Sequence, residues 1–153
     1  MEHKLDKTDR TILRLLQKDA SLSVDEVSNA VNLSRNACWR RIKAMEAAGV
    51  ITARVALVDP AHVGVPLTVM VLIKTNAHDG NWLKKFQATL HAFPEVVGAY
   101  RMTGDLDYVL RVRVADVPAY DAFYKRLTSR ISVSDISASF VMEEIKETTA
   151  VPL

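Results

Sequence analysis

Residues 23–51, SVDEVSNAVNLSRNACWRRIKAMEAAGVI, decide the fold of the first third of the chain. In the opening half Val24, Val27 and Val31 recur at i, i+3 and i+7, one apolar face of a helix. Asn32-Leu33 breaks that face, and Asn tolerates the left-handed conformation a sharp turn requires. Ser34 offers an N-cap oxygen to a second helix. On that helix Cys38, Ile42 and Met45 form an inward stripe, closed by the stop signal Ala48-Gly49. The opposite stripe, Asn36, Trp39, Arg40 and Lys43, carries hydrogen-bonding and cationic groups suited to base edges and phosphates. Two helices joined by a short turn, the second basic on its outer face, form a helix-turn-helix pattern.

Every surface helix has a solvated face, so cations alone mean little. Residues 34–54, however, hold Arg35, Arg40, Arg41, Lys43 and Arg54 against Glu46 only, a net +4 in a chain whose total is +2. Charge, turn and cap together make Ser34, Arg35, Asn36, Trp39, Arg40 and Lys43 the candidate contacts to double-stranded DNA. The competing function is a small-molecule-binding allosteric module whose helical head contacts a protein partner instead. A salt-dependent gel shift separates the two.

Working outward, residues 5–19 form a further helix. Asp6 can cap it, Asp9 complements its positive start, and Ile12, Leu15 and Leu16 face inward. After the head, residues 51–58 switch to period two, with Ile51, Ala53, Val55 and Leu57 on one face. This predicts a strand ended by Asp59-Pro60. A loop at residues 62–66 marks the boundary. The expected organisation is a winged/helix-turn-helix domain at 1–50, a strand and loop linker at 51–65, and a second domain at 66–153.

The second domain has a different rhythm. A β-rich run at 67–74 precedes a helix at 82–93 that buries Trp82, Leu83, Phe86, Leu90 and Phe93. Strands follow at 96–102 and 108–114, joined by the turn Gly104-Asp105-Leu106-Asp107. A helix at 117–130 turns Tyr120, Phe123, Tyr124, Leu127 and Ile131 inward, and residues 136–142 close as a fourth strand. The order βαββαβ is that of the ferredoxin-like fold, so the class is α+β. Its helices cover one sheet face. Because Thr68, Met70 and Leu72 alternate with Val69, Val71 and Ile73, the other face is expected to be apolar and to meet a second copy.

Composition sets the remaining bounds. Of 153 residues, 49% are hydrophobic and 25% charged, an ordinary globular balance. The longest apolar run, 63–73, contains Gly64, Pro66 and Thr68 and falls short of the ~18 residues a membrane span needs. No apolar segment behind Met1-Glu2-His3-Lys4 suits a signal peptide, so a cytoplasmic protein without membrane contact is expected. The single cysteine, Cys38, cannot form an internal disulfide, and its apolar helix face makes it a small buried hydrophobe. Residues 1–54 carry ten basic against seven acidic side chains and residues 55–153 ten against eleven. A basic head on a near-neutral body suits a nucleic-acid reader joined to something else.

Catalysis has no support in the motifs. His3, His62, His78 and His91 are scattered, and none stands at metal-ligand spacing with a cysteine or carboxylate pair. Glu143 and Glu144 are neighbours, which on a strand face opposite ways. There is no G-x-S-x-G, P-loop or GxGxxG. No enzyme activity, cofactor or metal is expected.

The segments LDKTDRTILRLLQKD, LSRNACWRRIKAMEAAGVI, VALVDPAHVG, TGDLDYVLRV and ASFVMEEIK resemble the Lrp/AsnC (feast/famine) transcription regulators, over nearly the whole chain. The resemblance implies an N-terminal helix-turn-helix, a strand linker, and a βαββαβ ligand-binding domain. It also implies homodimers that assemble into tetramers, octamers or larger. Effectors in the family are typically amino acids held between subunits of neighbouring dimers, near the turn after the second strand. CWRRIKAME and VLIKT are similar to a branch associated with cysteine response, which implies cysteine as effector. Arg35-Asn36-Ala37 departs from the family, where small residues and a proline are common at the helix start, so DNA sequence preference is not carried over.

The turn after the second strand carries groups for that role. Met102-Thr103-Gly104-Asp105-Leu106-Asp107-Tyr108 offers backbone donors at Gly104, a hydroxyl at Thr103 and a carboxylate at Asp107. An amino acid needs an acceptor for its ammonium and donors for its carboxylate, and these groups supply both. The same residues also suit an ordinary hairpin turn, with Gly and Asp present for backbone reasons. The candidate effector residues are Met102, Thr103, Gly104, Asp107 and Tyr108. By resemblance, Ser139 and Phe140 on the last strand join them.

Overall fold

The computed structural model describes residues 4–77 and 79–153. His3 and His78 lie outside the described residues. The chain divides into two compact units, residues 1–56 with 146–153, and residues 57–145. The expected second domain ran to 153, but its last eight residues count with the head.

The head is built from α1 (Lys7–Lys18), α2 (Val24–Ala30) and α3 (Arg35–Ala47). Asp6 and Asp9 form a capping box at the start of α1, and Ser23 and Glu26 form another at α2. Each box satisfies two N–H groups the helix itself cannot pair. Ile12, Val27, Cys38 and Met45 are fully buried, with Leu13 and Ile42 close to it. One helix alone could not hide them. Each such aliphatic side chain contributes about 1.5–3 kcal/mol by leaving water.

The body contains β1 (Leu67–Lys74), α4 (Gly80–His91), β2 (Val96–Arg101), β3 (Tyr108–Val114), α5 (Val117–Arg130) and β4 (Asp135–Phe140). Its sheet is antiparallel in the order β2-β3-β1-β4, the ferredoxin-like arrangement expected. Val69, Val71 and Ile73 on β1 lie beside Val112, Leu110 and Tyr108 on β3. These residues share a core with Phe86, Leu90, Phe93, Phe123, Leu127 and Ile131 from the helices. The opposite sheet face is mixed rather than uniformly apolar. Thr68, Met70 and Leu72 register with Arg113, Arg111 and Val109, and Met70 and Leu72 with Ser139 and Ser137.

Gly98 on β2 has a packing reason. A Cβ there would stand 2.7 Å from the Tyr100 hydroxyl, so only glycine lets that ring lie along the strand.

The strand expected at 51–58 does not form: among the described residues this segment has no regular structure. Val55 and Leu57 are 70% and 73% exposed. Period two signals a backbone able to extend, but a strand exists only through a ladder. Both edges of β1 are occupied by β3 and β4, and neither outer strand pairs with this segment.

Candidate nucleic-acid interface and effector turn

The turn between α2 and α3 is set by single residues. Asn32 takes φ 54°, the only non-glycine positive φ among the described residues. Leu33 N–H returns to the Ser28 carbonyl at 3.0 Å, closing the reversal. The Ser34 hydroxyl accepts the Ala37 N–H at 3.3 Å and starts α3. At its far end Gly49 takes φ 72° while Val50 N–H reaches back to Met45 O at 2.9 Å. This left-handed close satisfies carbonyls the helix leaves open.

Between these caps α3 points Cys38, Ile42 and Met45 into the head core and leaves Asn36, Trp39, Arg40 and Lys43 exposed. Trp39 is 50% exposed, an expensive position for a large apolar ring unless something covers it. Burial pushes the Cys38 thiol up, which keeps it protonated and inert.

The five cations of residues 34–54 are not equivalent. Arg35 pairs with Asp25 at 3.1 Å, and Glu46 takes both Lys43 at 2.7 Å and Arg54 at 3.3 Å. Such exposed pairs are worth ~0–1 kcal/mol and yield readily to a phosphate. Arg40 has no hydrogen-bond or ion-pair partner among the described residues. Arg41 is committed elsewhere. One terminal nitrogen donates to Asp6 at 2.7 Å and to Asp9 at 2.8 Å, tying α3 to the start of α1. Sequence alone assigned Asp9 to the helix dipole, yet its side chain is buried against this guanidinium.

Arg41→Ala is therefore expected to lower head stability by about 1–2 kcal/mol, since a largely buried carboxylate loses its cation. Thermal unfolding followed by Trp39 emission, in a Trp82→Phe background, measures this. The Asp9 N–H and then Arg41 hold the Asp6 carboxyl below its ordinary value. A depressed carboxylate stabilises the fold above its unfolded pKa and ceases to do so as pH falls through the folded one. Acidification below pH 3.8 should thus lower the head's midpoint, and less steeply in Arg41→Ala.

The effector turn is shaped by Gly104 at φ 98°, a conformation that side-chain-bearing residues rarely adopt. Met102 N–H donates to Asp107 O at 2.8 Å and Asp107 N–H to Ile73 O at 3.0 Å. Asp107 Oδ2 accepts the Thr75 N–H at 2.8 Å, so half of this carboxylate holds the end of β1. The N–H groups of Thr103 and Gly104 meet no acceptor among the described residues. Met102, Thr103 and Gly104 are exposed and Asp107 half-buried.

Tyr108 stands apart from them. Its ring packs on Phe86 at 4.7 Å and on Trp82 at 5.9 Å, within the core, so its side chain is not offered to a ligand. Ser139 and Phe140 are adjacent on a strand and face opposite ways. Ser139 registers with Met70 on the helix-free face, whereas the Phe140 ring meets Tyr120 edge-on at 5.3 Å. Both register with Met70 and Val69, while the turn adjoins Ile73 and Thr75. Three residues of strand, roughly 10 Å, separate the two places. One chain does not bring all seven residues together.

An open cleft in the body, about 220 Å³, is a third location. It is lined by residues including Asp59, Thr68, Arg113, Glu143 and Glu144. Arg113 and Thr68 both bond Glu144 at 2.7 Å, so its polar groups already satisfy one another. Among the described residues no group of His, Cys, Asp and Glu is placed to hold a metal ion, and no helix is long and apolar enough to cross a membrane.

Comparison with known proteins places these features. Residues 68–151 match the Lrp/AsnC ligand binding domain and residues 5–52 a winged helix-turn-helix DNA-binding domain. The chain is 47% identical to the DNA-binding transcriptional activator DecR of Escherichia coli K12, covering 97% of this chain and 99% of that one. It superposes on the crystal structure of an AsnC family transcriptional regulator from Agrobacterium tumefaciens with TM-score 0.94 and 52% identity, over 97% of each chain. A transcriptional regulator from Neisseria meningitidis, solved in complex with L-Met, matches with TM-score 0.93 and 35% identity, again over 97% of each. With a capped, outward-basic α3 on a three-helix head and a βαββαβ body, this chain belongs to the Lrp/AsnC family of transcriptional regulators.

Proposed function

We propose that this chain is a sequence-specific DNA-binding transcription regulator, that α3 enters the major groove, and that an amino acid modulates it. The observation that carries the first part is the exposed row Asn36, Trp39, Arg40 and Lys43 on a helix fixed at both ends. Arg40 is ready for a guanine edge or a phosphate, Asn36 for an adenine edge, and Trp39 for a thymine methyl or the sugar-phosphate wall. Ser34 and Arg35 at the helix start suit phosphates, where the helix dipole adds to the attraction.

The effector half rests on the turn at 102–107. Thr103 and Gly104 N–H groups suit a carboxylate and the second oxygen of Asp107 suits an ammonium. The relative solved with L-Met supports an amino acid as the class. Cysteine is the first candidate to screen, on the resemblance of CWRRIKAME and VLIKT. Because turn and Ser139 are separated within one chain, a site using both takes residues from two copies. We therefore include a homodimer, and assembly to a tetramer or octamer, in the proposal. The protein acts in the cytoplasm and performs no catalytic step.

The test is a gel shift on the DNA upstream of the chain's own gene, with random-sequence competitor, over a range of salt and with an amino-acid panel. Retarded DNA that resists competitor, weakens steeply with salt and responds to one amino acid is the expected result. A salt-independent complex, or equal affinity for competitor, would leave the head as a protein-binding module.

A further inference from the structure

The segment after β4 leaves the body and ends on the head. Val141 N–H donates to Thr68 O at 3.0 Å, and Glu144 holds Thr68 and Arg113, so residues 141–144 stay fixed to the start of β1 and the end of β3. From Lys146 onward the chain belongs to the first compact unit.

Two side chains of α1, one turn apart on one face, hold this segment. Gln17 engages Val151 in both directions: its Nε2 donates to the carbonyl at 3.1 Å, and its Oε1 accepts the N–H at 2.7 Å. Arg14 donates from Nε and a terminal nitrogen to the Leu153 carbonyl, at 3.2 and 2.7 Å. Leu153 packs against the head core that holds Ile12 and Leu13. An amide reading one residue's backbone, a guanidinium fixing a carbonyl two residues on, and an apolar seat between them form a receptor for an extended peptide.

The geometry points to this face of α1 as a peptide-docking surface whose occupant is the chain's own residues 146–153. Docking adds residues 146–153 to the compact unit formed by the head. It also falls on the helix whose N-terminus grips Arg41 of α3. The segment has no regular structure of its own, and residues 146–151 are exposed. Four side-chain hydrogen bonds and the packing of Leu153 hold its end in place.

Hydrogen exchange on the full chain, on Gln17→Ala and on a chain shortened to end at Ala150 tests this. Amides of α1 should exchange roughly tenfold faster in both variants, with β1 and β3 unchanged. A synthetic peptide of residues 148–153 added to the shortened chain should restore α1 protection, and the same peptide carrying Leu153→Asp should not. Unchanged α1 exchange in both variants overturns the proposal, as does equal protection by the two peptides. If the shortened chain does not fold, Gln17→Ala carries the test, because it removes only the amide that reads Val151.

Discussion

Arg40→Ala is expected to weaken binding to the chain's own upstream DNA by ~1–3 kcal/mol, roughly five- to a hundredfold. The size follows from what Arg40 does not do in the fold. It touches no acid among the described residues and faces away from Cys38, Ile42 and Met45, so its loss leaves the head intact. Lys43→Ala should cost less, because Lys43 must first leave Glu46. If Lys43 contacts a phosphate, its loss lowers the slope of log affinity against log salt by about one. A wild-type shift from the double variant would take α3 out of the groove.

The second large effect concerns Asp107. Asp107→Ala removes the acceptor of the Thr75 N–H, on a residue only 4% exposed. A hydrogen bond to a charged group is worth about 1.5–3 kcal/mol, and the donor left behind has no water to turn to. The body should therefore unfold earlier, and the amino-acid response should be lost with it. Asp107→Asn separates the two roles. Its amide oxygen still accepts from Thr75, but it offers an ammonium no charge. This variant is expected to keep assembly and most of the stability that Asp107→Ala loses, while losing roughly ten- to a hundredfold in effector affinity. A stable Asp107→Asn protein with normal response would exclude the carboxylate from the site.

These cases also show where sequence suffices. Asn32, Ser34 and Gly49 act within a few residues of themselves, so turn, cap and stop were all legible. The inward stripes of α3 and α5 were legible for the same reason, since 3.6-residue periodicity and burial coincide. What failed depends on partners distant in the chain. Arg41 counted only toward the local positive charge because Asp6 and Asp9 lie 35 and 32 residues away. Asp107 looked free because Thr75 meets it across a sheet.

Residues 51–58 had the alternation of a strand, and no alternation can report whether an edge is vacant. In YVLRVRV on β3, apolar residues fall on both faces, so nothing in the string says that Tyr108 points at Phe86. Ser139 and Phe140 were grouped by resemblance, although adjacency on a strand already implies opposite faces. The docking of Gln17 and Arg14 onto residues 151–153 had no signal at all: short polar contacts to backbone carry no period.

The groove contact of α3 can be tested most directly through Trp39. The chain has two tryptophans, and Trp82 belongs to the body, where its indole N–H donates to Ser132 O at 2.8 Å. Trp82→Phe keeps a ring to stack on Phe86 and leaves Trp39 as the sole emitter. Titrating this variant with its upstream DNA should change Trp39 emission saturably, in step with the gel shift, and shield the ring from iodide. Added salt should reverse both changes together. Trp39 emission and iodide access that stay constant while the DNA is fully bound would contradict the assignment of α3 as the recognition helix.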